Sequence, residues 1–186
     1  MWRGAMQKIA VVYKSKTGYT ERYARWLAED TGADLLQANY VKVEDLLRYD
    51  TIVYGGGLYA GGINGVKRIT RHMKELGNRK IIVFGVGVSP CRPEICDKVE
   101  KYNFPAEIRG KIRFFLLRGG FNYSKCNLVD KMLMNMLKVK LKKAPDTDKD
   151  AKGMLACYDH PADFTNREAL KPILACIRNE KTGEEA

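Results

Sequence analysis

The chain has 186 residues, 45% of them hydrophobic, and its 33 Lys and Arg outnumber 22 Asp and Glu to give a formal net charge of +11. That length suits one globular domain spanning 1–186 with an adequate core, and no apolar run reaches the roughly 18–20 residues of a membrane span. Five cysteines, an odd number with no Cys-x-x-Cys pair, argue against a disulfide framework, a zinc ribbon or an iron–sulfur ferredoxin and predict reduced thiols in the cytoplasm.

Residues 1–6 carry no apolar stretch of signal-peptide length, so export is not expected, and Met6 is an alternative start. The apolar run 9–13 then reads as a first strand. It leads through Ser15, Lys16, Thr17, Gly18, Tyr19 and Thr20 into a helical pattern over 21–29. A second strand is expected at 34–38, a polar link holds Glu44 and Asp45, and a third strand at 51–54 runs into Gly55, Gly56 and Gly57. A helix follows over 64–76 with Val66, Ile69, His72 or Met73, and Leu76 at helical spacing. A fourth strand covers 80–84, a helix opening on Pro93 covers 93–102, and a fifth strand covers 112–117. Near-continuous apolar strands alternating with helices predict a doubly wound α/β parallel sheet, whose ligand sits outside the carboxyl ends of the strands.

Beyond strand five the chain carries an extra segment, about 119–145. Between 111 and 143 nine basic residues face one acidic residue, Asp130, and the helical pattern over 127–141 places Val129, Met132, Leu133, Met136 and Leu137 on an apolar face. Lys138, Lys140, Lys142 and Lys143 cluster at its end. A basic, Met-rich amphipathic segment suits either an anionic membrane surface, through 125–143, or a hydrophobic ligand over which it closes. An ordinary core-facing helix with lysines on its C-terminal dipole is the plainer alternative. A charged loop at 144–150 follows, and a last helix over 166–178, capped by Asp163 or Thr165, covers the sheet.

The loop of residues 15–20 carries the strongest chemistry. Three hydroxyls and a glycine at a helix start place O–H and N–H donors where the helix dipole favours an anion, which fits a phosphate monoester. A cap alone would need only one such residue. The spacing is not that of a nucleoside triphosphate loop, and no carboxylate stands ready for magnesium. Here the chain resembles the flavodoxin family, whose Thr/Ser-x-Thr-Gly-x-Thr signature after the first strand is met at every fixed position. The resemblance implies a five-stranded sheet in the order 2-1-3-4-5, an FMN phosphate on 15–20, and two further loops at the flavin. The second of these loops holds Gly56, Gly57, Leu58, Tyr59, Ala60 and Gly61, with Leu58 and Tyr59 near one face of the ring. The third holds Gly87, Val88 and Ser89, with Val88 near the other edge. A flexible turn is the plainer reading of the second loop. The match of Gly55, Gly57 and Ala60 to a dinucleotide fingerprint is set aside, because it follows the third strand and Glu75 falls inside a helix.

Within that family the tail is most similar to the menaquinone-dependent protoporphyrinogen dehydrogenase branch, in its Gly-Gly-aromatic turn after strand five and its basic, Met-rich helix. The richer glycine content of the second loop and the run Val88-Ser89-Pro90-Cys91-Arg92-Pro93 depart from that branch. The resemblance implies an FMN-dependent oxidoreductase acting on a quinone or porphyrinogen. Its rival is a flavodoxin-type electron-transfer protein with a redox partner, although such shuttles are typically acidic. A nucleic-acid-binding role is allowed by charge alone and has no motif behind it. No catalytic side chain is expected, since a flavin carries the redox chemistry. His72 and His160 are too few and too far apart for a metal site. Cys91 and Cys96, around a helix start whose dipole favours a thiolate, are either a redox pair or packing residues.

Overall fold

The structure is a computed structural model, and it describes residues 7–123, 128–143, 145 and 149–179. Met6, Ser124, Cys126 and residues 144 and 146–148 of the expected 144–150 loop lie outside the described residues, as do the side chains of Val129 and Leu133, while the last two residues of that loop, Lys149 and Asp150, are helical instead. Strand β1 (Ile9–Lys14), helix α1 (Tyr19–Thr31) and strand β2 (Asp34–Gln37) form the first crossover. A 3-10 turn, Ala38–Tyr40, which takes the last residue of the expected second strand, and a short helix, α2 (Val43–Leu46), lead to β3 (Thr51–Tyr59) and its antiparallel partner β4 (Gly62–Ile63). Two one-turn helices, α3 (Lys67–Thr70) and α4 (Met73–Leu76), precede β5 (Lys80–Gly87). Helices α5 (Pro93–Asn103) and α6 (Ala106–Arg109) then lead to β6 (Ile112–Arg118). The tail holds β7 (Gly120–Phe121), α7 (Leu128–Lys142), α8 (Lys149–Asp159), β8 (Ala162–Asp163) and α9 (Lys171–Arg178).

The main sheet runs β2-β1-β3-β5-β6 with every neighbouring pair parallel, which is the expected order of the five principal strands. Side chains alternate across it with the two-residue period of a strand. Ala10, Val12, Ile52, Tyr54, Ile81 and Val83 face one layer, with Leu46, Ile69, Leu76 and Phe104 from the helices over it. Val11, Val53, Ile82 and Phe84 face the other, under Tyr23 and Leu27 of α1 and Ile173 and Ile177 of α9. Both faces are covered, which is why these strands read as continuous apolar runs.

Several boundaries differ from the sequence reading. The glycines after Tyr54 belong to β3 rather than to a loop, and β5 likewise runs on through Gly87. A Cβ on Gly55 would lie 2.1 Å from the ring of Phe84, its register partner, so the missing side chain makes room for an aromatic ring within the sheet. The actual turn is confined to Ala60 (φ 48°) and Gly61 (φ 84°), where the left-handed backbone reverses the chain into β4. The expected helix over 64–76 breaks at Arg71 and His72, although Val66, Ile69, Met73 and Leu76 are all buried as their spacing required. The last helix begins as a 3-10 turn, Arg167–Leu170, and its cap is neither Asp163 nor Thr165. Asn166 Oδ1 accepts from the Glu168 N–H at 2.9 Å, while Asp163 accepts instead from Thr165 N and Oγ1. Helix α8 and the β7–β8 pair were not anticipated.

The tail is tied back to the sheet at named points. Tyr23 Oη donates to Arg118 O at 2.8 Å and accepts from Asn166 N at 3.0 Å, while Arg22 donates to Asp163 Oδ2 at 2.5 Å. Among the described residues, helix α7 contributes none to either core cluster.

Candidate functional site

A cavity of about 390 Å³ opens at the carboxyl ends of β1, β3, β5 and β6, within the 300–1,000 Å³ range of small-molecule sites. Its first wall is the loop before α1. Lys16, Thr17, Tyr19 and Thr20 line it, whereas Ser15 and Gly18 do not. Ser15 Oγ accepts from Gly18 N at 3.1 Å, so its hydroxyl shapes the loop instead of facing the cavity. Gly18 sits at φ 91°, the left-handed turn that lets the chain enter the helix there, and no side chain caps the helix. The first-turn N–H groups of α1 are therefore left to an anion. Thr20 is 3% exposed and still borders the cavity. The acidic residue of this turn, Glu21, is held by Arg25 at 2.6 Å, and no carboxylate is among the described lining residues.

The second wall comes from the end of β3 and its turn. Gly57, Leu58, Tyr59, Ala60 and Gly61 line the cavity, joined by Asn64, whose carbonyl accepts from the buried Tyr54 hydroxyl at 2.8 Å. Burial pushes that phenol well above its ordinary range and keeps it neutral as a donor. Gly56 lies outside the cavity, since a Cβ there would lie 2.6 Å from the Ile63 side chain. It is a packing position under β4. Lys16 Nζ stands 4.4 Å from the centre of the Tyr59 ring, which links the first two walls by a cation–π contact.

Gly87, Val88 and Ser89 form the third wall, and Arg118 Nε donates to Val88 O at 3.1 Å, which holds that loop to the end of β6. The roof comes from residues outside the three expected loops. Met134 and Leu137 of α7, Met154 of α8 and Phe121 of β7 border the cavity, with Leu116, Ile95 and Val99 beneath. Tyr158 fastens the two roof helices together. Its hydroxyl donates to Met134 O at 2.7 Å, and its ring lies 4.9 Å from Phe121 and 5.8 Å from Tyr123. Gly120 lets the roof sit down, because a Cβ there would lie 2.4 Å from Ala162 O and 2.5 Å from the Tyr19 ring. Tyr19 is thus a support for β7 and β8 as well as a lining residue.

Cys91, Cys96, Cys157 and Cys176 are free thiols. Desolvation pushes the Cys91 and Cys96 thiols up, Cys91 further by Cys96 and Cys96 further by Glu100 and Glu94. The dipole at the start of α5 therefore does not make either a ready thiolate. Among the described residues no group of His, Cys, Asp and Glu could hold a metal ion.

Residues 10–148 match the flavodoxin domain family. The WrbA-like flavodoxin of Agrobacterium tumefaciens is similar at 16% identity, over 80% of this chain and 97% of its own, with a TM-score of 0.41. The Trp repressor binding protein of Bacillus subtilis shares 15% identity over 76% of this chain and 100% of its own, with a TM-score of 0.47. A flavoprotein from Lactobacillus acidophilus, solved in complex with FMN, shares 13% identity over 60% of this chain and 92% of its own, with a TM-score of 0.40. No curated protein matches the chain. The chain belongs to the flavodoxin domain family, and the cofactor that goes with this family is FMN. The residues present fit that group. Uncapped N–H donors, two threonines and one lysine meet a phosphate without a competing carboxylate, and apolar walls at Leu58, Tyr59 and Val88 accept a flat ring.

Proposed function

We propose that the protein is an FMN-dependent oxidoreductase that takes a hydrophobic substrate, a quinone or an anionic porphyrinogen, beneath the roof of α7 and α8. The observation that carries this reading is the placement of Met134, Leu137 and Met154 over the cavity at the strand ends. An electron shuttle needs its flavin edge open to a protein partner, whereas a thioether-lined roof adapts to an apolar guest and keeps water out. The similarity of the tail to the protoporphyrinogen dehydrogenase branch supports the same substrate class.

When bound, FMN supplies one- and two-electron redox chemistry. The chain's own contribution is placement. The α1 N-terminus with Lys16, Thr17 and Thr20 holds the phosphate, and Leu58, Tyr59 and Val88 confine the ring. Neither a carboxylate nor a histidine stands among the described lining residues.

The test is oxidation of a porphyrinogen with a quinone acceptor by FMN-loaded protein, compared with a Met134→Ser/Leu137→Ser variant. Turnover by the parent, with a raised KM and retained FMN in the variant, is the expected result. FMN-loaded protein that turns over neither substrate, while exchanging electrons with a redox protein, would establish a shuttle instead.

A further inference from the structure

Helix α7 has two apolar faces, and only one of them meets the cavity. Met134 and Leu137 point to the cavity, while Met132, Met136 and Val139 are 61%, 65% and 57% exposed. At about 100° per residue, the last three lie within roughly 60° of arc, on the side opposite Met134 and Leu137. Lys140 flanks this stripe on one side and Lys142 on the other, with Lys143 at its end, and all three are exposed. Asp130 is the sole acidic residue of the helix. Scattered exposed apolar residues need no explanation, but a stripe rimmed by charges of one sign does.

We infer that the outward face of α7 is a docking surface for an anionic lipid bilayer. A helix of this design lies in the plane of the interface, its apolar stripe among the acyl chains and its lysines at the headgroups. No described helix is long and apolar enough to cross a membrane, so the contact is peripheral. A second copy of the chain is disfavoured as occupant, because pairing two such faces would bring lysine against lysine in a protein of net charge +11. A nucleic acid would place phosphates against Met132, Met136 and Val139, where lysine is wanted and apolar carbon stands. Docking sets α7 between the bilayer and the cavity and leaves Met134 and Leu137 facing inward. It does not depend on what the cavity turns over.

The experiment is sedimentation of the FMN-loaded full chain with vesicles of phosphatidylglycerol and phosphatidylcholine, or of phosphatidylcholine alone, at low and high salt. The parent should bind the anionic vesicles, roughly tenfold less at high salt because screening shortens the reach of its charges, and should ignore the neutral ones. Each Lys→Gln change at Lys140, Lys142 or Lys143 should lower partitioning about fivefold. A Met132→Gln/Met136→Gln/Val139→Thr variant should lose binding while keeping FMN and its circular dichroism spectrum, since these side chains touch neither the cavity nor the core. Equal sedimentation of that variant and the parent would overturn the inference. So would a parent that ignores anionic vesicles, self-associates through this face, or shifts duplex DNA more strongly than it binds lipid.

Discussion

In the sheet, Val11, Ile52, Val53, Ile82 and Phe84 are wholly excluded from solvent, whereas in the roof Met132, Met136 and Val139 show more than half of their surface to it. The sheet is held by parallel ladders with a packed layer on each face. Among the described residues, the contacts that hold the roof and tail include the two-residue strand pair β7–β8, the hydroxyls of Tyr158, Tyr123 and Tyr23, and the Arg22–Asp163 contact. The same chain thus builds a frame that positions the loop before α1 and a cover that lies over the cavity at its edge. Regions with few buried contacts open at lower free energy than the global transition, which is what the proposed oxidoreductase would require of its cover.

Four perturbations would break or sharpen that contrast. The largest effect is expected in the sheet. Phe84→Ala empties the space that Gly55 leaves for the ring and should cost about 3–5 kcal/mol of global stability, read from urea unfolding. At the phosphate loop, Thr17→Ala or Thr20→Ala should weaken FMN by about 1.5–3 kcal/mol for each charge-assisted bond lost and leave riboflavin, which has no phosphate, nearly unaffected. Equal losses for the two ligands would remove the phosphate from this loop. In the roof, Tyr158→Phe deletes the bond to Met134 O and should cost about 0.5–1.5 kcal/mol. Hydrogen exchange should then quicken in α7 and α8 and not in β5; a matching change in β5 would mean that roof and sheet open as one.

The smallest effect is electrostatic. Burial alone would raise the Asp163 carboxyl, but hydrogen bonds from Thr165 and Arg22 outweigh it and hold the group below its ordinary range. A carboxyl depressed in the folded state stabilises above its unfolded value, about pH 4, and loses that contribution as pH falls through the lower folded value. Acid should therefore loosen the β7–β8 end of the roof before the sheet, and Asp163→Asn should remove that pH dependence. Proteolysis of the tail across pH 3–6 measures it, and identical profiles for the parent and Asp163→Asn would discount the contact.

Legibility in the sequence followed the range of the interaction concerned. Continuous apolar runs such as Val11-Val12 and Ile81-Ile82-Val83 announce strands covered on both faces, and the hydroxyl-rich turn before α1 announces an anion site, because strand burial and helix-start donors are encoded within a few neighbouring residues. Ala151, Met154, Leu155 and Tyr158 stand at helical spacing too, a readable signal for α8 that the charged segment before it obscured. By itself, then, the sequence determined the parallel order of strands and helices and the hydroxyl-rich, carboxylate-poor turn at the start of α1. The tertiary structure alone decided the rest. Gly55 reads as loop until Phe84 is placed beside it, since the need for a missing side chain belongs to the neighbour. In α7, Met132, Met134 and Met136 alternate so that the helix is apolar on two sides, and the docking of α8, fastened by Tyr158, selects which side roofs the cavity and which is left to solvent.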